Sequence, residues 1–328
     1  MRPIHLLLVG LAYSSSFANS PDPELVVFNQ GWFPSAQFAG IYVALDEGLY
    51  AEAGLEVSIT PFAYGRDSTA DLSRDPEVCT VGSIEGYILL QKLDRGDDLI
   101  ALSPMLRESP AGAMSLVEAS IKSPADFANR PIGVHAYADA LFKWFAHRAG
   151  VTEAQLQIVR VEDDLTPLLS GQVVAMQGYA SEEYVRLQRA AAPAPTQFLS
   201  FAAMGFPSYS EILYTTRTQV ADHATTLARF VAATREGWHR AFAAPELAVA
   251  AVARQIGSSA ERDHIAAALT ALRPFVLDDS GHAMPAMRTE KWRSLQTASK
   301  EMGLIKNSPP NPESWLWSDP ALATSRRP

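Results

Sequence analysis

Between Leu25 and Ile59 the hydrophobic period changes twice, and this constrains the fold more than any other feature of the 328-residue chain. Leu25 to Phe28 is a short apolar run bounded by turn formers, and Leu55 to Ile59 alternates apolar with polar residues. Both are strand signals. Residues 36–50 carry Phe38, Ile41, Tyr42, Leu45 and Leu49 at helical spacing, and Gly54 suits a helix C-cap that opens directly onto a strand. The loop ahead of this helix gathers Trp32, Phe33, Gln37 and Phe38 around Pro34. It lies beyond a strand's C-terminal end, where open α/β sheets bind ligands. Rings and an amide in that place point to a planar small molecule. Phe38, at the helix start, suits core packing equally well.

The alternation continues. Strands are expected near Val78 to Val81, Leu99 to Leu102, Met114 to Val117, Ile132 to Val134, Gln157 to Val161 and Val173 to Met176. Helices are expected through Leu89 and Leu93, after Ser123-Pro124, over 138–149, over 164–169 and after Tyr184. Gly82 to Gly86 reads as a turn. The pattern predicts an α/β fold with mostly parallel sheets flanked by helices. From residue 220 the chain becomes helical, with Leu227, Phe230, Val231, Thr234, Trp238 and Phe242 forming one apolar stripe. Further helices are expected after Pro245, over 261–272 and over 289–302. The Pro- and Trp-rich tail is expected to lay Trp315 and Trp317 on the surface.

The length allows two domains. A formal charge of −9 without any run of Lys and Arg argues against nucleic acid as a partner. Residues 1–20 read as a cleaved secretory signal: Arg2 and His5, an apolar core from Leu6 to Ala12, then small residues with cleavage after Ala18 or Ser20. A buried N-terminal strand is the other reading. No other segment approaches the roughly 20 apolar residues of a membrane span. Cys79 is the only cysteine, so no intrachain disulfide forms. No cysteine lies at the cleavage site to carry a lipid anchor. A freely diffusing periplasmic protein is expected, with Cys79 as a core filler rather than a nucleophile.

Six segments in order carry a resemblance: WFPSAQFAGIYVALDEGLYAEAGLEVSI, SIEGYILL, RESPAGAMSL, IKSPADFANRPIGV, GYASEEYVRL and FVAATREGWHRAFAAPELAV. Over residues 25 to about 255 the chain resembles the periplasmic solute-binding proteins related to thiamine-pyrimidine-precursor binders and to the fungal pyrimidine synthase. Sulfonate- and riboflavin-binding relatives belong to the same circle. The resemblance implies a type 2 periplasmic binding fold with two crossover strands as hinge. Lobe one would hold residues 21–113 and 214–328, and lobe two residues 114–213. The chain would cross near 113–117 and return near 212–215. Ligand would sit between the lobes and favour the closed state. The closed protein, a monomer, would deliver it to an ABC permease of the inner membrane.

Four loops should converge on this cleft. The first holds Trp32, Phe33, Gln37 and Phe38. The second, at Ser83 to Tyr87, holds Glu85, which disfavours an anionic ligand and favours one with N–H donors; it also reads as a first-turn acid complementing the helix dipole. The third holds Tyr137, a ring where relatives have a Gly-rich turn, beside His135. The fourth is Tyr179 to Tyr184. There the resemblance aligns Ser181 and Glu182 with the family's Asn-Glu pair, and a carboxylate can accept the two parallel N–H donors of an aminopyrimidine edge. Tyr209, near the return crossing, could add a wall. The expected ligand is a planar heteroaromatic: a thiamine-precursor pyrimidine first, a flavin second. A sulfonate ranks last, because only Arg66 and Arg107 lie near these loops. The synthase of the resembled family carries a cysteine-rich motif, a substrate histidine and a lysine site for pyridoxal phosphate. This chain has one Cys and seven scattered His, with no metal-spaced cluster. Binding without chemistry, cofactor or metal is therefore the expectation. An enzyme of the same fold and a sensor for a membrane receptor are the alternatives.

Overall fold

The computed structural model describes residues 22–323 apart from 163, 260, 308 and 310, so the signal-like segment lies outside the described residues. Ten strands run in chain order: β1 (Glu24–Asn29), β2 (Leu55–Thr60), β3 (Cys79–Ile84), β4 (Leu99–Leu106), β5 (Ala111–Leu116), β6 (Pro131–Val134), β7 (Gln157–Arg160), β8 (Ala175–Tyr179), β9 (Thr196–Ser200) and β10 (Ser210–Thr216). They form two five-stranded sheets, ordered β2-β1-β3-β10-β4 and β7-β6-β8-β5-β9.

Both sheets have one plan. In the first, β1 runs parallel to β2 and β3, while β10 is antiparallel to β3 and β4. In the second, β6 runs parallel to β7 and β8, while β5 is antiparallel to β8 and β9. Four strands of each sheet therefore run the same way, the mostly parallel arrangement expected, and one strand, β10 or β5, runs against them. The reason is the entry of β5 and β10. Each comes straight from the other sheet without the helical crossover that a parallel neighbour needs. The chain crosses between Leu106 and Ala111 and returns between Ser200 and Ser210. The stretches 113–117 and 212–215, expected as crossings, lie largely inside β5 and wholly inside β10.

Local signals explain most element boundaries. The helix expected over 36–50 is divided into a 3-10 turn Ala36–Phe38, a helix Ala39–Asp46 and a short helix Leu49–Glu52, because Gly48 between them takes φ 74°. Ser35 caps the start, its hydroxyl accepting from the Gln37 N–H at 3.3 Å. Gly82 to Ile84 continue β3 instead of turning, since they pair with Ile212 to Tyr214 of β10. That pairing is invisible to local pattern.

The core of the first half is built on the helix Ala224–Ala243, whose expected stripe buries Leu227, Phe230, Val231, Thr234 and Trp238. It crosses the helix Ala39–Asp46 at two glycines. A Cβ on Gly237 would overlap the Gly40 carbonyl oxygen, and one on Gly40 would overlap the Trp238 indole. Phe38 is 0% exposed and sits 6.3 Å from the Phe28 ring and 6.2 Å from the Tyr42 ring. The tail is core as well. Trp315 is 1% exposed and meets Trp292 edge-on at 4.8 Å. The Ala101 N–H donates to the Trp315 carbonyl and the Trp317 N–H donates to Ala101, each at 2.9 Å. The tail therefore covers the outer edge of β4, a place a strand edge rarely leaves open.

Candidate functional site

The strand ends of the two sheets face each other across a cleft, and polar side chains concentrate there. Asn29, Gln30, Ser83 and Glu211 from the first half are buried, as are His135 and Gln177 from the second. Gln30 follows β1. Its amide Nε2 donates to the Trp32 carbonyl at 2.6 Å, and its Oε1 accepts from the Tyr42 hydroxyl at 2.5 Å. Gly31 presses against Ser83: its N–H donates to Ser83 Oγ at 2.9 Å, and any Cβ would overlap the Ser83 backbone.

The centre of the site is a pair of carboxyls. Ile84 of β3 pairs antiparallel with Ile212 of β10, and one residue further along each strand stand Glu85 and Glu211. Like charges opposed across an antiparallel pair repel. Glu85 is part-buried; its Oε1 accepts from the Tyr179 hydroxyl at 3.2 Å and from Ser210 Oγ. Glu211 is 4% exposed, one carboxyl oxygen meets the Ser83 hydroxyl, and Oε2 has no partner. Its backbone takes φ 46°, a left-handed conformation that costs a side-chain-bearing residue on the order of 1–3 kcal/mol. Burial raises both carboxyls above the ordinary glutamate value, and the repulsion from Glu85 raises Glu211 further. Among the described residues, no lysine or arginine offsets either charge.

Phenols surround the pair. Burial pushes up the hydroxyls of Tyr42, Tyr87 and Tyr179, and the field of the two glutamates adds to it. A recess lined by Tyr87, Ser109, Tyr137, Gln177, Tyr179 and Phe206 opens beside Tyr179. Tyr137 is exposed and stacks on the His135 imidazole at 5.3 Å and 8°. The His135 Nδ1 in turn bonds Gln177 Oε1. The sequence suggests a strand-end histidine with one backbone hydrogen bond; the partner is instead the side-chain amide of Gln177 in β8.

The other sequence candidates divide. Trp32 and Phe33 are 37% and 43% exposed and form a box with Phe62 and Tyr64, ring centroids 5.0–6.2 Å apart. Gln37 is buried beside the Ser35 cap, and Phe38 belongs to the core. Glu182 does not join the carboxyl pair. It bonds His264 Nε2 at 3.1 Å, linking the second half to the helix Arg262–Val276 of the first. Tyr209 is turned into the packing of the first half, its hydroxyl accepting from the Arg288 N–H at 2.9 Å and its ring lying 4.2 Å below Lys291 Nζ and beside Trp292. Arg66 is engaged by Asp71 and Asn29, and Arg107 by the Leu277 carbonyl. Neither guanidinium approaches Glu85 or Glu211 by a hydrogen bond. Cys79 is buried, and burial pushes its thiol up to about 12, so it holds no thiolate near neutral pH.

Sequence reasoning passed over Glu211, Gln30, Ser210 and Gln177. Glu211 carried a signal: an acid at the head of the apolar run Ile212 to Tyr214, in the stretch expected to return to the first half.

Comparison with known proteins adds context to this geometry. The sequence profile of the family described as NMT1/THI5 like matches residues 35–248. The chain is 26% identical over 246 residues to the formylaminopyrimidine-binding protein of Halalkalibacterium halodurans, covering 72% of this chain and 73% of that one. Its fold is similar to the periplasmic aliphatic sulphonate binding protein SsuA from Escherichia coli, with TM-score 0.71, 15% identity and coverage of 90% and 98%. It is also similar to the desulfurization enzyme DSZB, with TM-score 0.64, 16% identity and coverage of 92% and 98%.

Proposed function

Because the chain belongs to the NMT1/THI5-like family, whose fold here is that of periplasmic binding proteins, we propose that it captures a nitrogen-bearing heteroaromatic, an aminopyrimidine, between its two halves. The observation that carries this reading is the buried Glu85–Glu211 pair with no cation beside it. A sulfonate would add a third negative charge to that place. An aminopyrimidine instead offers N–H donors, and the unpartnered Glu211 Oε2 needs one. The named activity of the Halalkalibacterium relative supports the same class.

On this reading the halves are lobes that shut on the ligand, with 107–110 and 201–209 as the hinge. Tyr179, reaching from the second sheet to Glu85 in the first, is the contact that senses closure. The Trp32 box stands at the rim, where a ring can stack on a planar guest for about 0.5–1.5 kcal/mol. The ligand leaves unaltered, handed to an ABC permease, and the protein works in the periplasm after removal of residues 1–20.

A thermal-shift and calorimetric screen of formylaminopyrimidine, other aminopyrimidines, riboflavin, taurine and alkanesulfonates tests the ligand class. A true ligand at a hundredfold excess over its Kd adds about 2.7 kcal/mol of stability. Stabilisation by a sulfonate and by no pyrimidine would overturn the proposal.

A further inference from the structure

We infer that Glu85 and Glu211 hold one proton between them, with Glu211 as the carboxylic acid and Glu85 as the carboxylate, and that the pair reads a ligand edge in which a ring-nitrogen acceptor adjoins an N–H donor. The inference deepens the proposed function and rests on it for the ligand, but not for the proton.

The hydrogen bonds assign the roles. Glu85 Oε1 receives two hydroxyl donors, from Tyr179 and Ser210, and two donors on one oxygen favour the charged form. Glu211 is more deeply buried, meets only the Ser83 hydroxyl, and leaves Oε2 bare. Ionising both would set two negative charges against each other in a site with low solvent access, the arrangement in which a carboxyl dyad keeps a proton. The titratable groups facing the pair from the surrounding elements are Tyr42, Tyr87 and Tyr179, with Tyr137 behind Tyr87 and Tyr179. Beyond Tyr137 lies His135, tied to Gln177. These neighbours are phenols and one amide-bonded imidazole; burial and the field of the pair raise Tyr42, Tyr87 and Tyr179, so those three stay neutral as the pair titrates.

A carboxylic acid beside a carboxylate is a donor next to an acceptor. An aminopyrimidine presents the complement: the ring nitrogen accepts from the Glu211 O–H while the amino group donates to carboxyl oxygens. No covalent bond changes and the proton stays on the pair. Loss of that proton at higher pH removes the donor and leaves the ring nitrogen facing an anion.

The test has two arms on the full chain. In the empty protein, carbon-13 NMR of glutamate labelled at the carboxyl, assigned with Glu85→Gln and Glu211→Gln, should show the Glu211 carboxyl titrating well above the bulk of the glutamates. It should titrate lower in Glu85→Gln, where the repelling charge is gone. Both carboxyls titrating with the bulk overturns the inference. In the second arm, calorimetry follows 4-aminopyrimidine binding between pH 7 and 9.5, where this probe is neutral. Wild-type affinity should fall about tenfold per pH unit once the proton leaves. Glu211→Gln, which puts an amide N–H where the O–H stood, should bind without that fall and at least tenfold tighter than wild type at the alkaline end. Wild-type affinity constant to pH 9.5 overturns the proton-reading role. A carboxyl that titrates high while no aminopyrimidine binds supports the shared proton and discards the pyrimidine reading.

Discussion

Glu211 combines three costs in one side chain: a left-handed backbone, a carboxyl oxygen without a partner, and a like charge opposite it. Sites that give up stability in this way are where function concentrates. The pH dependence follows with a definite sign. Both carboxyls are raised in the folded protein above the value they take unfolded, so the folded chain holds protons that the unfolded chain has released. Stability contributed by the protonated pair is complete below the ordinary glutamate range, near 4.5, and is lost as pH rises through the folded-state values. Each proton so held changes stability by up to about 1.4 kcal/mol per pH unit within that window. Glu211→Gln should therefore raise the Tm of the empty protein, and raise it more at pH 8.5 than at pH 5.5. A Tm gain independent of pH in a melting series would count against a shared charge. Trp32→Ala removes a half-exposed ring that the proposed function sets at the cleft rim. It should weaken aminopyrimidine binding by about 1–3 kcal/mol while leaving the urea midpoint close to wild type, as calorimetry and denaturation measured together would show.

At the scale of elements, close approach matters more than composition. The crossing of Ala39–Asp46 with Ala224–Ala243 depends on Gly40 and Gly237 having no side chain. Gly237→Ala forces a methyl against a carbonyl oxygen and should cost about 1–3 kcal/mol, read as a lower urea midpoint with unchanged m. The tail behaves as part of the first sheet. Trp315→Ala should cost about 3–5 kcal/mol, the usual range for deleting a buried large ring, with the loss visible in equilibrium unfolding. The periodicity of the helices was legible from sequence, as were the helix start at Ser123-Pro124 and the positions of most strands. The extension of β3 through Ile84, the strand β9 and the burial of Trp315 were not. Each of these depends on a partner far along the chain, β10, β5 and β4 respectively, and local pattern carries no record of such a partner.

Across the whole molecule, the two halves are pinned by pairs that span them. His264 meets Glu182 at 3.1 Å, Arg189 meets Asp263 at 3.7 Å, and the Trp144 indole N–H donates to Glu301 at 2.7 Å. These clasps lie outside the carboxyl pair, so on the proposed two-lobe reading they bias the open–closed balance without touching the ligand. A His264→Ala, Glu301→Ala protein should be more open when empty, with a larger radius of gyration by small-angle scattering. It should still compact on binding. An unchanged empty-state radius would mean that the hinge segments 107–110 and 201–209, with Lys291 bonded to the Arg107 carbonyl and to Glu108, set the angle alone. This also reassigns Glu182, whose sequence neighbourhood suggested a ligand contact: its loss should act through the clasp.

Hydrophobic period and turn residues were enough to determine an α/β chain, because those signals act between residues close in sequence, and the family resemblance of six ordered segments implied its two halves. Which side chains meet in the cleft was decided only in three dimensions. Glu85 and Glu211 are 126 positions apart, and nothing in either neighbourhood announces the other. Antiparallel pairing of β3 with β10 puts the two carboxyls together, and low solvent access then turns two ordinary glutamates into a pair that must share a proton or find a guest.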